Sequence, residues 1–156
     1  MLINRSAHIN ATGRVLDDAL CLAARLNRAD VVRVLLDKGA DPNASDRQLG
    51  PALYLASRFG NIETVEALIQ EGADVNAEVG THQCALYGTA WKGRVEVLRV
   101  LLKNGAISDT GERPYSNALE GAVFKARADI VDILLAEGAK KKLERTNANR
   151  DPRYKV

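Results

Sequence analysis

The sequence contains few of the residue types on which catalysis and metal binding depend. Among 156 residues there are two histidines, His8 and His82, and two cysteines, Cys21 and Cys84. Neither histidine stands at a metal-ligand spacing from a cysteine, and no phosphate-loop or GxGxxG motif occurs. Cys84 with His82 as its base would lack a third, orienting group. We therefore predict that the protein is not an enzyme and holds no metal and no cofactor.

Long hydrophobic runs are also missing. No uninterrupted apolar stretch reaches the roughly 18 residues expected of a membrane span, and there is no basic-then-apolar secretory leader. The two cysteines are expected to be small buried hydrophobes in a reducing compartment. The sequence therefore predicts an intracellular protein, cytoplasmic or nuclear, that does not contact membranes.

The net charge of +2 is small but unevenly distributed. Residues 140–156 contain seven basic residues against Glu144 and Asp151, which leaves residues 1–139 with a net charge of −3. Such a basic run can contact phosphates or act as a nuclear address, or it can simply be a solvated end that keeps the last unit soluble.

A strict internal repeat dominates the rest of the sequence. Gly-Ala pairs recur at intervals of 33 residues without insertion or deletion. They begin at Gly39, Gly72, Gly105 and Gly138. An Ala-Leu step stands 20 residues before each pair, and two adjacent aliphatic residues stand just before each glycine. Four copies in register indicate a unit that stacks on itself and works through the surface it presents.

Each unit reads as a helix, a tight turn, a second helix, a glycine stop and an extended loop. Glycine suits the stop because it tolerates the left-handed conformation that ends helices. The predicted turn residues are Asn27, Gly60, Gly93 and Ala126, of which the alanine suits a turn least. A carboxylate follows each turn, where it complements the dipole of the second helix. These carboxylates belong to Asp30, Glu63, Glu96 and Asp129.

This pattern resembles the ankyrin repeat. Two copies read ALCLAARLNRADVVRVLLDKGADPNA and ALYLASRFGNIETVEALIQEGADVNA, and two more divergent copies follow, so the match covers residues 14–145. The resemblance implies an all-α ankyrin-repeat solenoid of stacked helix-turn-helix units with extended loops. The chain departs from the family at the helix openings, which lack the usual Thr-Pro and His and are similar to those of fungal NACHT-type receptor arrays.

The period also gives the expected domain boundaries. We expect a remnant of a preceding repeat or an N-terminal cap at residues 1–13. Four ankyrin repeats follow at residues 14–46, 47–79, 80–112 and 113–145. The chain then ends in a basic, disordered tail at residues 146–156. Residues 6–11 stand one period before the loop at 39–44, which suggests a piece of a longer protein or a truncated product. The first repeat should then be incompletely covered at Leu20 and Leu22, and the chain could self-associate weakly there.

Residues that vary where the scaffold is constant are the candidates for binding. The resemblance implies that the end of the first helix and the loop tips line up along a concave face. The helix-end candidates are Arg25, Leu26, Arg58, Phe59, Trp91, Lys92, Phe124 and Lys125, and the loop candidates are Arg47, Leu49, His82, Arg113 and Tyr115. Aromatic residues and arginine dominate binding hot spots. We expect Phe59 and Trp91 to be exposed, and Phe124 either to be exposed or to pack on a neighbouring repeat.

The stretches 24–29, 57–62, 90–95 and 123–128 contain seven cations and no acidic residue. A cationic band with aromatics between the charges favours a partner that carries carboxylates and apolar anchors. The primary hypothesis is therefore a protein-interaction module that binds an acidic or amphipathic segment of another protein on its concave face. In one alternative, the basic face and tail bind nucleic acid or a phosphorylated ligand. In another, the repeats are a structural spacer within a longer array.

The resemblance also implies a modification. Asn43 and Asn76, in the GAD-x-NA loops, resemble the substrates of asparaginyl hydroxylases. Their default role is to bond the backbone of the loop.

Overall fold

Helices alternate with short loops along the chain in the order that the repeat predicts. The computed structural model describes residues 3–79, 83–106 and 116–148, with side chains in 13–78, 84–106 and 118–138. Within these residues the helices are α1 (Ile3–Arg25), α2 (Ala29–Asp37), α3 (Ala52–Phe59), α4 (Ile62–Gln70), α5 (Ala85–Lys92), α6 (Val95–Lys103), α7 (Ser116–Phe124) and α8 (Ala128–Ala148). The strands are β1 (Ser45–Asp46), β2 (Gly50–Pro51), β3 (Glu78–Val79) and β4 (Gln83–Cys84).

Consecutive helices pair into four helix-turn-helix units that stack side by side. The first helices, α1, α3, α5 and α7, pack on one another, and so do the second helices, α2, α4, α6 and α8. Strand β1 pairs with β2 and β3 with β4, each as a short antiparallel hairpin between units. The predicted all-α repeat solenoid is confirmed, with the loops partly organised as hairpins.

The turns within the units adopt the left-handed conformation at all four predicted residues. The φ angles are 55° at Asn27, 83° at Gly60, 73° at Gly93 and 54° at Ala126. At two of them an arginine of the next unit passes over the turn, so a side chain there would have to displace it. A Cβ at Gly60 would come within 2.9 Å of Arg94 Cδ, and one at Gly93 within 2.8 Å of Arg127 Nε.

Three of the four Gly-Ala pairs end a helix as predicted. Gly39, Gly72 and Gly105 have φ angles of 90°, 92° and 84°. After each glycine, the alanine N–H bonds back to a carbonyl five residues earlier, as from Ala40 to Leu35 at 3.0 Å. An Asx turn then fixes the first two loops, in which Asp41 and Asp74 accept the N–H of the asparagine two residues on.

The predicted stop at Gly138 is wrong, because α8 continues through it to Ala148. The reason is the sequence that follows. Lys140 begins the run KKKLER, whose residues are good helix formers, whereas Ile107, Ser108 and Asp109 follow the stop at Gly105. Residues 146–148 of the expected tail continue this helix, while residues 149–156 lie outside the described residues.

Residues 6–11 do not form a loop like their equivalents at 39–44, since α1 begins at Ile3 and runs unbroken into the first repeat. Ser6 stands where Gly39 supplies the left-handed stop, and His8 stands where Asp41 supplies the Asx turn. Without either signal the helix has no reason to end. That residues 1–13 derive from a preceding repeat remains a prediction.

The N-terminal unit is less covered than its neighbours, although not at both of the predicted residues. Leu22 is 47% exposed, whereas the equivalent Leu55 is 2% exposed beneath the preceding unit. Leu20 is fully buried, so the expectation that it would be uncovered is wrong. At the opposite end Val123 is exposed, while the equivalent Ala90 is fully buried.

Candidate functional site

Two rows of side chains run across the stack at the ends of the first helices, with one residue of each row in every unit. Row 1 consists of Arg25, Arg58, Trp91 and Phe124, and row 2 of Leu26, Phe59, Lys92 and Lys125. The members of a row are 33 residues apart and lie within one residue of the ends of α1, α3, α5 and α7. All eight helix-end candidates therefore belong to one surface, which we call the helix-end face.

Three aromatic side chains form a continuous cluster on this face. The rings of Trp91 and Phe124 are stacked, with centroids 5.3 Å apart and an angle of 9° between their planes. Tyr87, one helical turn before Trp91, lies 5.8 Å from it at an angle of 31°. The ammonium of Lys125 sits 4.3 Å from the Trp91 centroid and 5.4 Å from that of Phe124, within the range of cation–π attraction.

The exposure of these rings differs partly from the expectation. Phe59 is 44% exposed, as predicted. The predicted exposure of Trp91 is wrong in part, because the ring is half-buried between Tyr87, Phe124 and the ammonium of Lys125. For Phe124, exposure and packing on a neighbouring repeat were the two alternatives, and both occur: its ring stacks on Trp91 of the neighbouring repeat, and 75% of the side chain stays exposed.

Two helical glycines allow the tyrosines of the preceding unit to approach. A Cβ at Gly88 would come within 3.0 Å of Tyr54 Cε2, and one at Gly121 within 3.1 Å of Tyr87 Cε2. The equivalent residue of the second unit is Leu55. Tyr54 and Tyr87 stand where the family has its usual His, and sequence reasoning missed their place beside the candidate site. The available signal was the i, i+4 spacing from Tyr87 to Trp91, together with glycine inside two helices.

A groove of about 210 Å³ opens between the second and third units of this face. It is lined by Tyr54, Arg58, Tyr87, Gly88 and Trp91. Arg58, at the edge of the groove, makes no ion pair with any carboxylate among the described residues, and neither does Lys92. The groove thus offers aromatic walls and an uncompensated positive charge.

Five of the seven cations of the band fall into two groups with different surroundings. Arg94 and Arg127 lie over the turn glycines of the preceding unit and have a packing role. Arg58 and Lys92 remain at the helix ends, and Lys125 covers the rings. The four predicted carboxylates lie in the first turns of the second helices, as expected.

A family model for ankyrin repeats in three copies matches residues 1–79 and 53–145, which together include all four units. The chain belongs to the ankyrin-repeat family. Ankyrin repeats are generally protein–protein interaction modules and are typically non-enzymatic. No curated protein matches the sequence closely enough to be counted as a relative.

The two loop candidates that the structure describes, Arg47 and Leu49, lie away from the aromatic cluster. Arg47 and Leu49 are exposed at the tip of the β1–β2 hairpin, where Asp46 Oδ1 accepts the N–H of Leu49 at 2.8 Å. The hairpin lies at the start of α3, whereas Phe59 lies at the end of this helix. The length of α3, about 12 Å, therefore separates Arg47 and Leu49 from Phe59. The other loop candidates, His82, Arg113 and Tyr115, lie outside the described residues.

Asn43 and Asn76 join the loops of successive repeats. Asn43 Oδ1 accepts the N–H of Asp74 at 2.7 Å, and its Nδ2 donates to the carbonyl of Gly72 at 3.4 Å. Asn76 Nδ2 donates to the carbonyl of Gly105 at 3.2 Å. The predicted structural role is confirmed and extends across the repeat boundary, while hydroxylation of these residues remains a prediction.

Cys21 is buried in the core, and its Sγ donates to the carbonyl of Ala44 at 3.4 Å. Burial raises the pKa of this thiol to about 11, so the nucleophilic thiolate is scarce at neutral pH. Cys84 is half-buried. Within the described part of the chain, no three histidine, cysteine or acidic side chains could share a metal ion. None of the described helices is long and apolar enough to span a membrane.

Proposed function

We propose that this ankyrin array binds an acidic or amphipathic segment of another protein on its helix-end face. The observation that carries the proposal is the aromatic cluster of Tyr87, Trp91 and Phe124 beside a groove edged by Arg58. Tyrosine, tryptophan and arginine are the residue types that contribute most to binding at protein interfaces.

The arrangement of the rings favours binding in a second way. Trp91 is held by Tyr87 on its own helix and by Phe124 and Lys125 of the next repeat. A side chain that is already ordered loses little conformational entropy when a partner covers it. Phe124, which is mostly exposed, offers apolar area that water now contacts.

The charge on the face supports a partner that carries carboxylates. Burying Arg58 or Lys92 against an apolar or basic partner would leave a desolvated cation without a counter-charge, which is costly. A carboxylate on the partner removes this cost and adds a charge-assisted hydrogen bond. The charge therefore selects among partners more than it raises affinity.

Alanine replacement of Arg58, Phe59 and Trp91 together tests this proposal. The matched control replaces Arg33, Gln70 and Glu71, which line a groove of about 200 Å³ between α2 and α4. Proteins captured from the source cell by the wild-type array should be lost with the first variant and retained with the control. A variant that remains folded by circular dichroism and still captures the same proteins would place the site elsewhere.

A charge-reversed variant guards against loss of stability in the triple replacement. Arg58→Glu with Lys92→Glu changes two side chains that reach solvent, so we expect the fold to survive. Binding of each captured partner should weaken by at least tenfold, and lowering the salt should not restore it, because reduced screening strengthens the repulsion between the new glutamates and the partner's carboxylates. A nucleic-acid or phosphate ligand would instead show the steep log-linear dependence on salt that counterion release produces.

A further inference from the structure

We infer that the bound segment is an amphipathic α-helix whose apolar stripe crosses the helix-end face diagonally and whose acidic residues lie on opposite flanks at its two ends. This inference rests on the proposed function and specifies the partner. It follows from three features of the face: a reversal of polarity between the two rows, the position of the groove, and the spacing of the repeats.

The two rows exchange their chemical character halfway along the array. In the first two repeats row 1 is cationic (Arg25, Arg58) and row 2 is apolar (Leu26, Phe59). In the last two repeats row 1 is aromatic and row 2 is cationic. The apolar side chains therefore form a track that passes from row 2 in the first two repeats to row 1 in the last two. The positive charge lies on the row 1 side of this track in the first two repeats and on the row 2 side in the last two.

The groove lies where the apolar track changes rows. Its lining includes Arg58 at the end of the cationic part of row 1 and Trp91 at the start of the aromatic part. Binding hot spots cluster near the centre of an interface, in pockets from which water is excluded. A large apolar side chain at the middle of the partner segment would fill this groove with Tyr54 and Tyr87 as walls.

A helix matches the face better than an extended peptide. The described strands are two-residue hairpins in the loops, so the described part of the helix-end face presents no strand edge with which an extended backbone could pair. A helix satisfies its own backbone hydrogen bonds. Packed helices lie about 8–10 Å apart, so four repeats span roughly 24–30 Å. A helix of three heptads is about 31 Å long.

Four designed peptides of identical composition provide the probes. Each is a three-heptad helix with apolar residues at a and d, a tryptophan at the central d position, and glutamates and glutamines at e and g. In two peptides the glutamates change flank at the middle, from g to e or from e to g, and in the other two they stay on one flank. When a bound helix is turned end for end, its two ends and its two flanks are exchanged at the same time. The crossed pattern of glutamates on the face is therefore the same whether the peptide binds from N- to C-terminus or in the reverse direction.

One of the two crossed peptides should bind at least about tenfold more tightly than the other three, measured by the fluorescence of Trp91 and of the peptide or by calorimetry. Several exposed charge pairs, each contributing modestly, account for a ratio of this size. Equal affinities for all four peptides, or no binding by any, would overturn the inference. The proposed function would survive either result if the Arg58, Phe59 and Trp91 replacement still abolished capture of the natural partner.

A protein variant of unchanged composition provides the second arm of the test. Exchanging the rows in the first two repeats (Arg25→Leu, Leu26→Arg, Arg58→Phe and Phe59→Arg) makes row 1 apolar and row 2 cationic along its whole length. The preference should then move from the crossed peptide to one of the peptides with glutamates on a single flank. A variant that folds, binds and keeps the original preference would contradict the crossing.

Discussion

Thr64 is a single polar residue at a position that is apolar in the repeats that follow. Its equivalents are Val97 and Ile130, and all three side chains are almost completely buried. The Thr64 hydroxyl has no hydrogen-bond partner among the described residues. A buried polar group without a partner forfeits its hydration and gains nothing in exchange.

Replacing Thr64 by valine should therefore stabilise the array. We expect Thr64→Val to raise the free energy of unfolding in urea by about 1 kcal/mol, since valine has nearly the same shape and no hydroxyl. Thr89→Val is the matched control, because Thr89 is equally buried but donates to the carbonyl of Ala85 at 2.7 Å. An equal gain for both variants would show that partnering of the hydroxyl is irrelevant.

Cys21 makes stability depend on pH in the alkaline range. Burial raises the pKa of its thiol from 9.0 to about 11 in the folded chain. Between these values the unfolded chain binds fewer protons than the folded one, so the free energy of unfolding falls as pH rises. Below pH 9 the contribution is fully present, and above pH 11 it is lost.

Denaturation from pH 8 to 11.5 tests this with Cys21→Ala as the reference, because the variant retains the tyrosine and lysine titrations. The wild type should lose on the order of 2 kcal/mol more than the variant across this range. Parallel curves for the two proteins would mean that the thiol of Cys21 ionises at its ordinary pKa in the folded state.

At the scale of the element, the same Gly-Ala pair has two outcomes. Gly105 has a φ of 84° and ends α6, whereas Gly138 lies inside α8 without a positive φ. The dipeptide permits a stop but does not impose one. Lys140 begins a run of helix-forming residues after Gly138, whereas Gly105 is followed by Ile107, Ser108 and Asp109, which favour a helix less.

Alanine at these two glycines should therefore change stability in opposite directions. We expect Gly138→Ala to stabilise by up to about 1 kcal/mol, because glycine inside a helix costs that much relative to alanine. Gly105→Ala should destabilise by about 1 kcal/mol, since alanine is strained in the left-handed region. Among the described residues, no atom beyond the chain neighbours of Gly105 lies within 4 Å of a Cβ placed there, so we expect the backbone to set the loss. Urea denaturation measures both, and a loss at Gly138 would indicate that α8 stops there.

At the scale of the whole molecule, the position of a repeat in the array decides how much an equivalent residue contributes to the free energy of unfolding. Leu55 lies between two repeats and is 2% exposed, while the equivalent Leu22 of the first repeat is 47% exposed. Val34 is likewise exposed where the equivalent Ala67 is buried. In a stacked array each repeat is stabilised by its neighbours, so the first repeat contributes least.

Leu22→Ala and Leu55→Ala form a matched pair that tests this dependence on position. We expect a loss of about 2–5 kcal/mol for Leu55→Ala, as for buried leucines in general. Leu22→Ala should cost about 1 kcal/mol, because half of the side chain is already in water. Amide hydrogen exchange should also be faster in α2 than in α4. Similar losses for the two variants would show that the first repeat is covered in solution.

The period of 33, the turn residues and three of the four helix stops were readable in the sequence, because each depends on local backbone preference. The same is true of the helix-end candidates, since equivalent positions in a repeat fall on one surface. Sequence reasoning could not show that Trp91 stacks on Phe124 or that Tyr87 and Gly88 line a groove. These contacts join different repeats, and local preference does not determine which side chains meet across a boundary.

The sequence alone thus determined the ankyrin architecture and the side chains at its helix ends. Only the tertiary structure decided that α1 and α8 extend beyond their repeats and that Trp91 is half-covered. It also decided that the groove lies where the cationic and apolar rows exchange sides. The physical reason is that a repeat fixes its own fold through short-range hydrogen bonds, whereas the shape and charge of the helix-end face arise from packing between neighbouring repeats.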